Sequence, residues 1–208
     1  MYKRQNVPYV LTVGALTDNY TPKKTGDDFI PPFSASGPTF EAFVKPDVVA
    51  PGAHIIGNTH RSTTLAHTYP GKSASLDTYT FAGTSQAAAV ASGVAALILQ
   101  KEPTLSPDDV KCRLMATAQA GRKRDGTLSA SVFRQGAGLI DAFAAVHSTA
   151  TGCANEGLDI DADLAGIEHY QGPAIQDEQC NYILPGAEIE GWGGTSAEAG
   201  GWSWAGGW

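Results

Sequence analysis

The stretch FAGTSQAAAVASGVAALILQ, residues 81–100, decides the fold. A short extended run ends in Gly-Thr-Ser, and a string of alanines, glycines and aliphatic residues follows it. Alanine is the best helix former, so the composition predicts a helix over residues 85–100. The segment is apolar nearly all round, which predicts a helix that is buried rather than amphipathic.

Ser85 lies at the predicted corner between a strand and this helix. A hydroxyl there points out of the end of a sheet, and the free N–H groups of a helix start present positive partial charge. That setting suits a nucleophile whose attack creates an oxyanion, and Gly83 permits a close backbone approach. Without any further motif, an ordinary N-cap residue is the simpler interpretation of this serine.

The rest of the chain predicts strands and helices in alternation. Short apolar runs bounded by proline, glycine or polar residues predict strands at residues 10–15, 48–50, 55–56 and 79–82. Ser106 as N-cap and Pro107 after it predict a helix to about Thr117, and a last helix is expected from Asp141 to about His147. Polar composition predicts loops at residues 17–38, 58–78 and 122–127.

Charge divides the chain of 208 residues into two parts. Residues 1–150 hold all 14 basic residues and 11 acidic ones, whereas residues 151–208 hold 10 acidic residues and no basic one. We therefore predict a domain over 1–150 and an acidic, Gly- and Trp-rich tail over 151–208. Neither part has the clustered basic face of a nucleic-acid-binding protein, and no apolar run is long enough for a membrane span.

The cysteines and the end of the tail leave alternatives open. Cys112, Cys153 and Cys180 are either three free thiols or include a Cys153–Cys180 bridge, and their spacing does not form a zinc motif. The four tryptophans among glycines in 190–208 predict a weakly ordered end. They would be either a linker or a surface that stacks on sugars or another protein.

Four motifs occur in the order that the subtilisin-like serine proteases, the subtilases, have them. GTSQAA (83–88) resembles their nucleophile segment, and VGA (13–15) resembles the strand after their substrate cleft. The family's segment before the serine resembles FSASGP (33–38) together with KPDVVAPG (45–52). Its closing helix resembles GAGLIDA (136–142). The resemblance covers about residues 6–147 and implies part of a three-layer α/β fold, with a parallel sheet flanked by helices.

The resemblance implies a serine-type endopeptidase that acts on polypeptides through an acyl-enzyme. Ser85 would be the nucleophile and its own N–H an oxyanion donor, with Gly83 and Thr84 shaping the turn. Gln86 stands where the family has Met, and Ala89 and Val90 replace its Pro and His. The family further implies an extracellular location and allows a structural calcium ion, although no acid cluster in 1–150 fixes a site.

The family's Asp, its His-Gly histidine and its oxyanion Asn lie upstream of the VGA strand, and no substitute motif occurs in this sequence. We expect His54, His60 and His67 to be loop histidines on the surface, His147 to end a helix, and His169 to lie in the tail. The expectation is a nucleophile-bearing portion that is inactive alone. The alternative is a non-catalytic chain that pairs with a separate N-terminal half or binds a surface through its Trp-rich tail.

Overall fold

A computed structural model of the chain describes residues 7–70, 73–75 and 77–185. Its strands are β1 (Val13–Leu16), β2 (Val48–Pro51), β3 (Ile55–Asn58), β4 (Ser73–Ser75), β5 (Thr78–Phe81), β6 (Ile175–Gln176) and β7 (Tyr182–Ile183). Its α-helices are α1 (Thr64–Thr68), α2 (Thr84–Lys101), α3 (Pro107–Ala116), α4 (Val132–Gln135), α5 (Ala142–His147) and α6 (Ile160–Leu164). The Trp-rich end lies outside the described residues, so its flexibility and binding stay predictions.

A parallel sheet forms the centre of the fold. Strands β1 and β2 pair in parallel, with Val13 opposite Val48, and a parallel bridge from Val49 to Leu139 extends the pair. Helix α2 packs on both strands and also contacts α3 and α5. The buried core joins Ala15 on β1 to side chains of these helices. The predicted α/β class is therefore confirmed.

The segment between β2 and α2 contains more structure than its sequence suggested. Strand β5 pairs antiparallel with β3 on one side and with β4 on the other. Helix α1 is a short capped segment, in which the side chain of Thr63 accepts a hydrogen bond from the N–H of Ala66. The prediction of a loop throughout 58–78 was wrong, because polar residues here cap a helix instead of only filling a turn.

The three principal helices confirm the predicted helix positions. Helix α3 starts with a capping box, in which Ser106 and Asp109 each accept a hydrogen bond from the other's backbone N–H. The carboxylate of Asp141 accepts from the N–H of Ala144 and caps α5. Capping chemistry fixes the starts of α3 and α5, whereas the alanine-rich composition predicted α2.

Helix α2 is buried on one side only, so the prediction that it is buried all round was wrong. Its buried side chains are Ala87, Ala91, Val94 and Ile98. In the part of the chain that the structure describes, the opposite side is exposed at Ala88, Ala89, Ser92, Gly93, Ala96 and Leu99. Because small apolar residues occupy every side of the helix, the sequence carried no periodicity to distinguish covered from uncovered positions.

A disulfide joins Cys112 on α3 to Cys153, and Cys180 is free and exposed. Both predicted alternatives, three free thiols and a Cys153–Cys180 bridge, were therefore wrong. The Cα atoms of the bonded pair lie 5.1 Å apart, because the N–H of Gly152 donates to Asp109 at the start of α3 and brings the chain alongside that helix. This juxtaposition is tertiary, and cysteine spacing did not reveal it.

Part of the acidic segment packs on the core. The side chains of Ala174 and Leu184 are buried in the main hydrophobic cluster. The N–H of Gly172 donates to the carbonyl of Glu41, and the N–H of Ala174 donates to that of Ala42. The boundary near residue 150 stays a prediction, but residues well beyond it contribute to the buried interior.

Lys45, Asp47 and Lys111 form a buried ion cluster, which holds the residues before β1 in place. All three residues are at most 6% exposed. The ammonium of Lys45 lies 2.8 Å from a carboxylate oxygen of Asp47 and donates to the carbonyl of Val10. Burial, which outweighs the attraction of Asp47, lowers the pKa of Lys45 to about 8.

Lys111 connects this cluster to two distant parts of the chain. Its ammonium donates to the carbonyl of Pro8 at 2.6 Å and to the amide oxygen of Asn155 at 2.9 Å, and it lies 3.5 Å from Asp47. The strand predicted from residue 10 begins only at Val13, and the carbonyl of Val10 accepts from Lys45 instead of from a neighbouring strand.

Candidate functional site

The serine singled out by sequence lies at the carboxyl end of the parallel strands. Ser85 is the second residue of α2, and the residue before the helix, Gly83, donates from its N–H to the carbonyl of Gly52 at 2.7 Å. The N–H of Gly52 in turn donates to the carbonyl of Leu16, the last residue of β1, at 2.9 Å. In α/β folds this end of the sheet is where ligands bind.

The first turn of α2 leaves donors open beside the serine. The N–H groups of Gln86 and Ala87 both donate to the carbonyl of Gly83, at 3.1 and 3.4 Å. The N–H groups of Thr84 and Ser85 have no acceptor among the described residues, and Ser85 is exposed. The helix start therefore presents free donors and positive partial charge at the hydroxyl.

Ser85 is not an N-cap residue. The N-cap of α2 is Gly83, which makes no side-chain cap, and the Ser85 hydroxyl has no hydrogen bond within the described part of the chain. The simpler interpretation of this serine as an ordinary cap is therefore wrong. An exposed hydroxyl with no structural partner is available for chemistry.

The backbones of Gly83 and Gly52 approach closely, and the tightest packing at this corner is around Gly52. Gly83 has an extended backbone with φ 161°, which any residue adopts. A Cβ on Gly52 would lie 2.6 Å from the Cβ of Ala15 and 3.1 Å from that of Ala87. Gly52 therefore allows the start of α2 to pack directly on the strands. From the sequence, the Pro-Gly pair at 51–52 indicates only a turn.

A cavity of about 160 Å³ lies beside the helix start. Thr84 lines it together with Val13, Gly14 and the loop 33–39. The hydroxyl of Ser34 in this loop accepts a hydrogen bond from the N–H of Ala15 at 3.0 Å. On that side of β1 no strand pairs with it in the part of the chain that the structure describes.

The histidines lie in different surroundings, and none of them forms a hydrogen bond with Ser85 within the described ranges. His60 and His67 are exposed, as predicted, and His147 ends α5, as predicted. His54 is only half-buried and contacts Asp18 and Tyr20. His169 lies near Asp163, with 3.5 Å between a ring nitrogen and a carboxylate oxygen.

Across the described ranges, no group of three or more His, Cys, Asp or Glu side chains is placed to hold a metal ion. None of the helices in those ranges is both long and apolar enough to cross a membrane.

Comparison with known proteins identifies the family. The chain is 41% identical over 102 residues to the serine protease AprX of Bacillus subtilis, a match that covers 49% of this chain and 23% of AprX. It is 34% identical over 140 residues to mycosin-3 of Mycobacterium tuberculosis, covering 67% of this chain and 26% of mycosin-3.

Fervidolysin from Fervidobacterium pennivorans, described as a keratinolytic enzyme related to subtilisin, has the same fold, with a TM-score of 0.52 at 24% identity. That match covers 70% of this chain and 20% of fervidolysin. The chain thus spans about a fifth to a quarter of the length of these three proteins. The peptidase S8 family model, described as the subtilase family, matches residues 2–138. The chain therefore belongs to the subtilase family of serine peptidases.

Proposed function

We propose that this chain carries the nucleophile of a serine endopeptidase and that Ser85 is that nucleophile. One observation carries the proposal: an exposed serine without a structural partner lies among open N–H donors at the start of α2. Gly83 and Thr84 shape the turn that presents it. A polypeptide is the substrate, and the cavity lined by Thr84 is suited to one of its side chains.

The reaction follows from the position of these groups. The Ser85 Oγ attacks the carbonyl carbon of a peptide bond and gives its proton to a base. The Ser85 N–H stabilises the oxyanion that forms. The C–N bond then breaks, the base returns the proton to the departing amine, and the acyl group stays on Oγ until a water molecule hydrolyses the ester.

We further propose that the base, its orienting carboxylate and a second oxyanion donor come from polypeptide outside residues 7–185. The absence of any hydrogen bond between Ser85 and a histidine in those residues supports this. The uncovered side of α2 and the unpaired side of β1 are surfaces that a further part of the domain would cover. The 208-residue chain alone is then expected to have no measurable peptidase activity.

A second candidate is a non-catalytic chain that complements a separate N-terminal half. In the described part of the chain β1 has a partner strand on one side only, which favours this candidate because an extended segment can add on the other side, where the N–H of Ala15 already donates to Ser34. The two candidates differ in whether Ser85 ever reacts. Calcium binding stays a prediction. We propose an extracellular location, supported by the Cys112–Cys153 disulfide, since such bonds persist in oxidising compartments.

Reaction with a fluorophosphonate, which labels activated serines, tests the proposal. The protein isolated from its own organism and the recombinant 208-residue chain are treated in parallel, and the adduct is mapped by mass spectrometry together with the intact mass. We expect an adduct on Ser85 in the isolated protein and none in the recombinant chain. An isolated protein that hydrolyses peptides with its adduct on another residue would overturn the proposal. An isolated chain that neither reacts nor hydrolyses would favour the complementing candidate.

A further inference from the structure

Three hydrogen-bonded residues at the carboxyl end of the sheet lie in one row. Leu16 accepts from Gly52, and Gly52 accepts from Gly83. Each of these residues is followed, two positions later, by a polar residue: Asp18 after Leu16, His54 after Gly52 and Ser85 after Gly83. The row therefore brings Asp18 and His54 to the same end of the sheet as the nucleophile, although both are distant from it in sequence.

Asp18, Tyr20 and His54 form an aromatic patch at this end. The rings of Tyr20 and His54 are stacked, with centroids 3.5 Å apart and planes inclined by 23°. The Nδ1 of His54 lies 3.5 Å from a carboxylate oxygen of Asp18, and the same oxygen accepts from the N–H of Tyr20 at 3.2 Å. Tyr20 nevertheless remains 75% exposed.

The backbone under the patch is held in an unfavourable conformation. Asn19, Tyr20 and His54 have φ values of 48°, 61° and 59°, in the left-handed region. Non-glycine residues there cost about 1 kcal/mol or more each. Such outliers cluster at functional sites, and here they accompany a tyrosine ring that remains in solvent at the same end of the sheet as Ser85.

Acidic groups surround the patch. Asp28 has a carboxylate oxygen that is buried and without a hydrogen-bond partner. Thr17 and Phe29 exchange two backbone hydrogen bonds, so the segment that carries Asp27 and Asp28 lies beside Asp18. Burial and the neighbouring charges of Asp27 and Asp18 raise the pKa of Asp28. Lys24, 3.4 Å from Asp27, is an exposed partner and only partly offsets this charge.

We infer that the aromatic patch is a subsite for the side chain of a lysine or arginine in the polypeptide substrate. The cation would lie over the exposed face of Tyr20, with Asp18 supplying the opposite charge. An aromatic face beside a carboxylate binds a cation better than an apolar group of equal length. This inference rests on the proposed function, because it takes the peptide held at Ser85 as the ligand.

NMR titration of the 208-residue chain tests the subsite without requiring catalysis. The probes are Nα-acetyl-lysine N-methylamide and its norleucine counterpart, which has a similar chain without the charge. The ring signals of Tyr20 and His54 are followed. We expect the lysine probe to shift these signals and to bind about three- to tenfold more tightly than the norleucine probe. Absence of binding, or equal affinity for the two probes, would overturn the inference.

Variants separate the subsite from general effects on folding and from the role of Ser85. Tyr20→Ala should abolish the preference for lysine, whereas Tyr20→Phe should keep it, because the ring face remains. Ser85→Ala should bind the lysine probe unchanged. A preference that survives Tyr20→Ala in a chain with otherwise native signals would overturn the inference. Failure of Ser85 to react with a fluorophosphonate in the protein isolated from its own organism would count against the proposed function and leave this result intact.

Discussion

The molecule contains two carboxylate-centred clusters with opposite surroundings. In the buried ion cluster, Asp47 lies between two lysines and is 2% exposed. In the aromatic patch, the side chain of Asp18 is 38% exposed and faces a histidine under an exposed tyrosine. Both carboxylates also accept backbone N–H groups next to β1: Thr12 donates to Asp47 before the strand, and Tyr20 donates to Asp18 after it.

The difference between the clusters indicates what each does. A buried charge must be paired by other charges and hydrogen bonds, and the lysines of Asp47 use their remaining donors on backbone carbonyls and on Asn155. The result joins the start of the described chain to the segment that follows α5. Asp18 and Tyr20 retain solvent-facing surface at the end of the sheet that carries Ser85. The first cluster contributes to the fold, and the second is available to a ligand.

Breaking the buried cluster should produce the largest change. In Asp47→Asn, the two buried lysines lose their compensating charge, and we expect the free energy of unfolding to fall by about 4 kcal/mol. Urea denaturation followed by circular dichroism measures this loss. A loss below about 1 kcal/mol, the range of an exposed ion pair, would mean that Asp47 behaves like a surface residue and that the contrast between the clusters is wrong.

Removing the disulfide beside that cluster should have the next largest effect. Cys153 lies two residues before Asn155, and the bond closes a loop with a sequence separation of 41 residues. Cys112→Ala with Cys153→Ala should lower the free energy of unfolding by about 3 kcal/mol, mainly because the unfolded chain gains freedom. Cys180→Ala is the matched control and should change stability by less than about 0.5 kcal/mol. Equal effects of the two changes in denaturation would contradict the assigned pairing.

The buried cluster should contribute its own pH dependence to stability above pH 8. The pKa of Lys45 in the folded protein, about 8, lies below its ordinary value of 10.5. Between these values the unfolded chain binds more protons, so the free energy of unfolding should rise with pH, by at most about 1.4 kcal/mol per pH unit. Comparison of the wild-type protein with Lys45→Met by denaturation across this pH range isolates the contribution. Parallel curves for the two proteins would show that Lys45 titrates normally.

The sequence predicted what local chemistry decides. Ser106 as a cap and the alanine-rich composition of α2 placed two helices within one or two residues, and the helix expected from Asp141 begins at Ala142. The motif order around Ser85 led to the correct family. Each of these signals lies within a few neighbouring residues, so no knowledge of tertiary contacts was needed.

What the sequence did not reveal depends on strand register and on the packing of distant segments. The pairing of Cys112 with Cys153 requires the chain beyond α5 to return to α3. His54 lies in the loop between β2 and β3, as predicted, but the sequence did not show that it contacts Asp18 and Tyr20, which follow a different strand. Only the row of hydrogen bonds along the end of the sheet aligns them. Local patterns do not carry such alignment.

The smallest expected change in stability comes from Asp18→Asn, the matched counterpart of the change at Asp47. The new side-chain amide oxygen still accepts from the N–H of Tyr20, and the exposed pair with His54 contributes little to stability, so the free energy of unfolding should fall by less than about 1 kcal/mol. The preference for the lysine probe over the norleucine probe should nevertheless decrease, because the carboxylate charge is gone. Urea denaturation and the NMR titration measure the two effects on the same sample. A loss of stability as large as that in Asp47→Asn, or an unchanged preference for lysine, would mean that Asp18 supports the fold and does not serve a ligand.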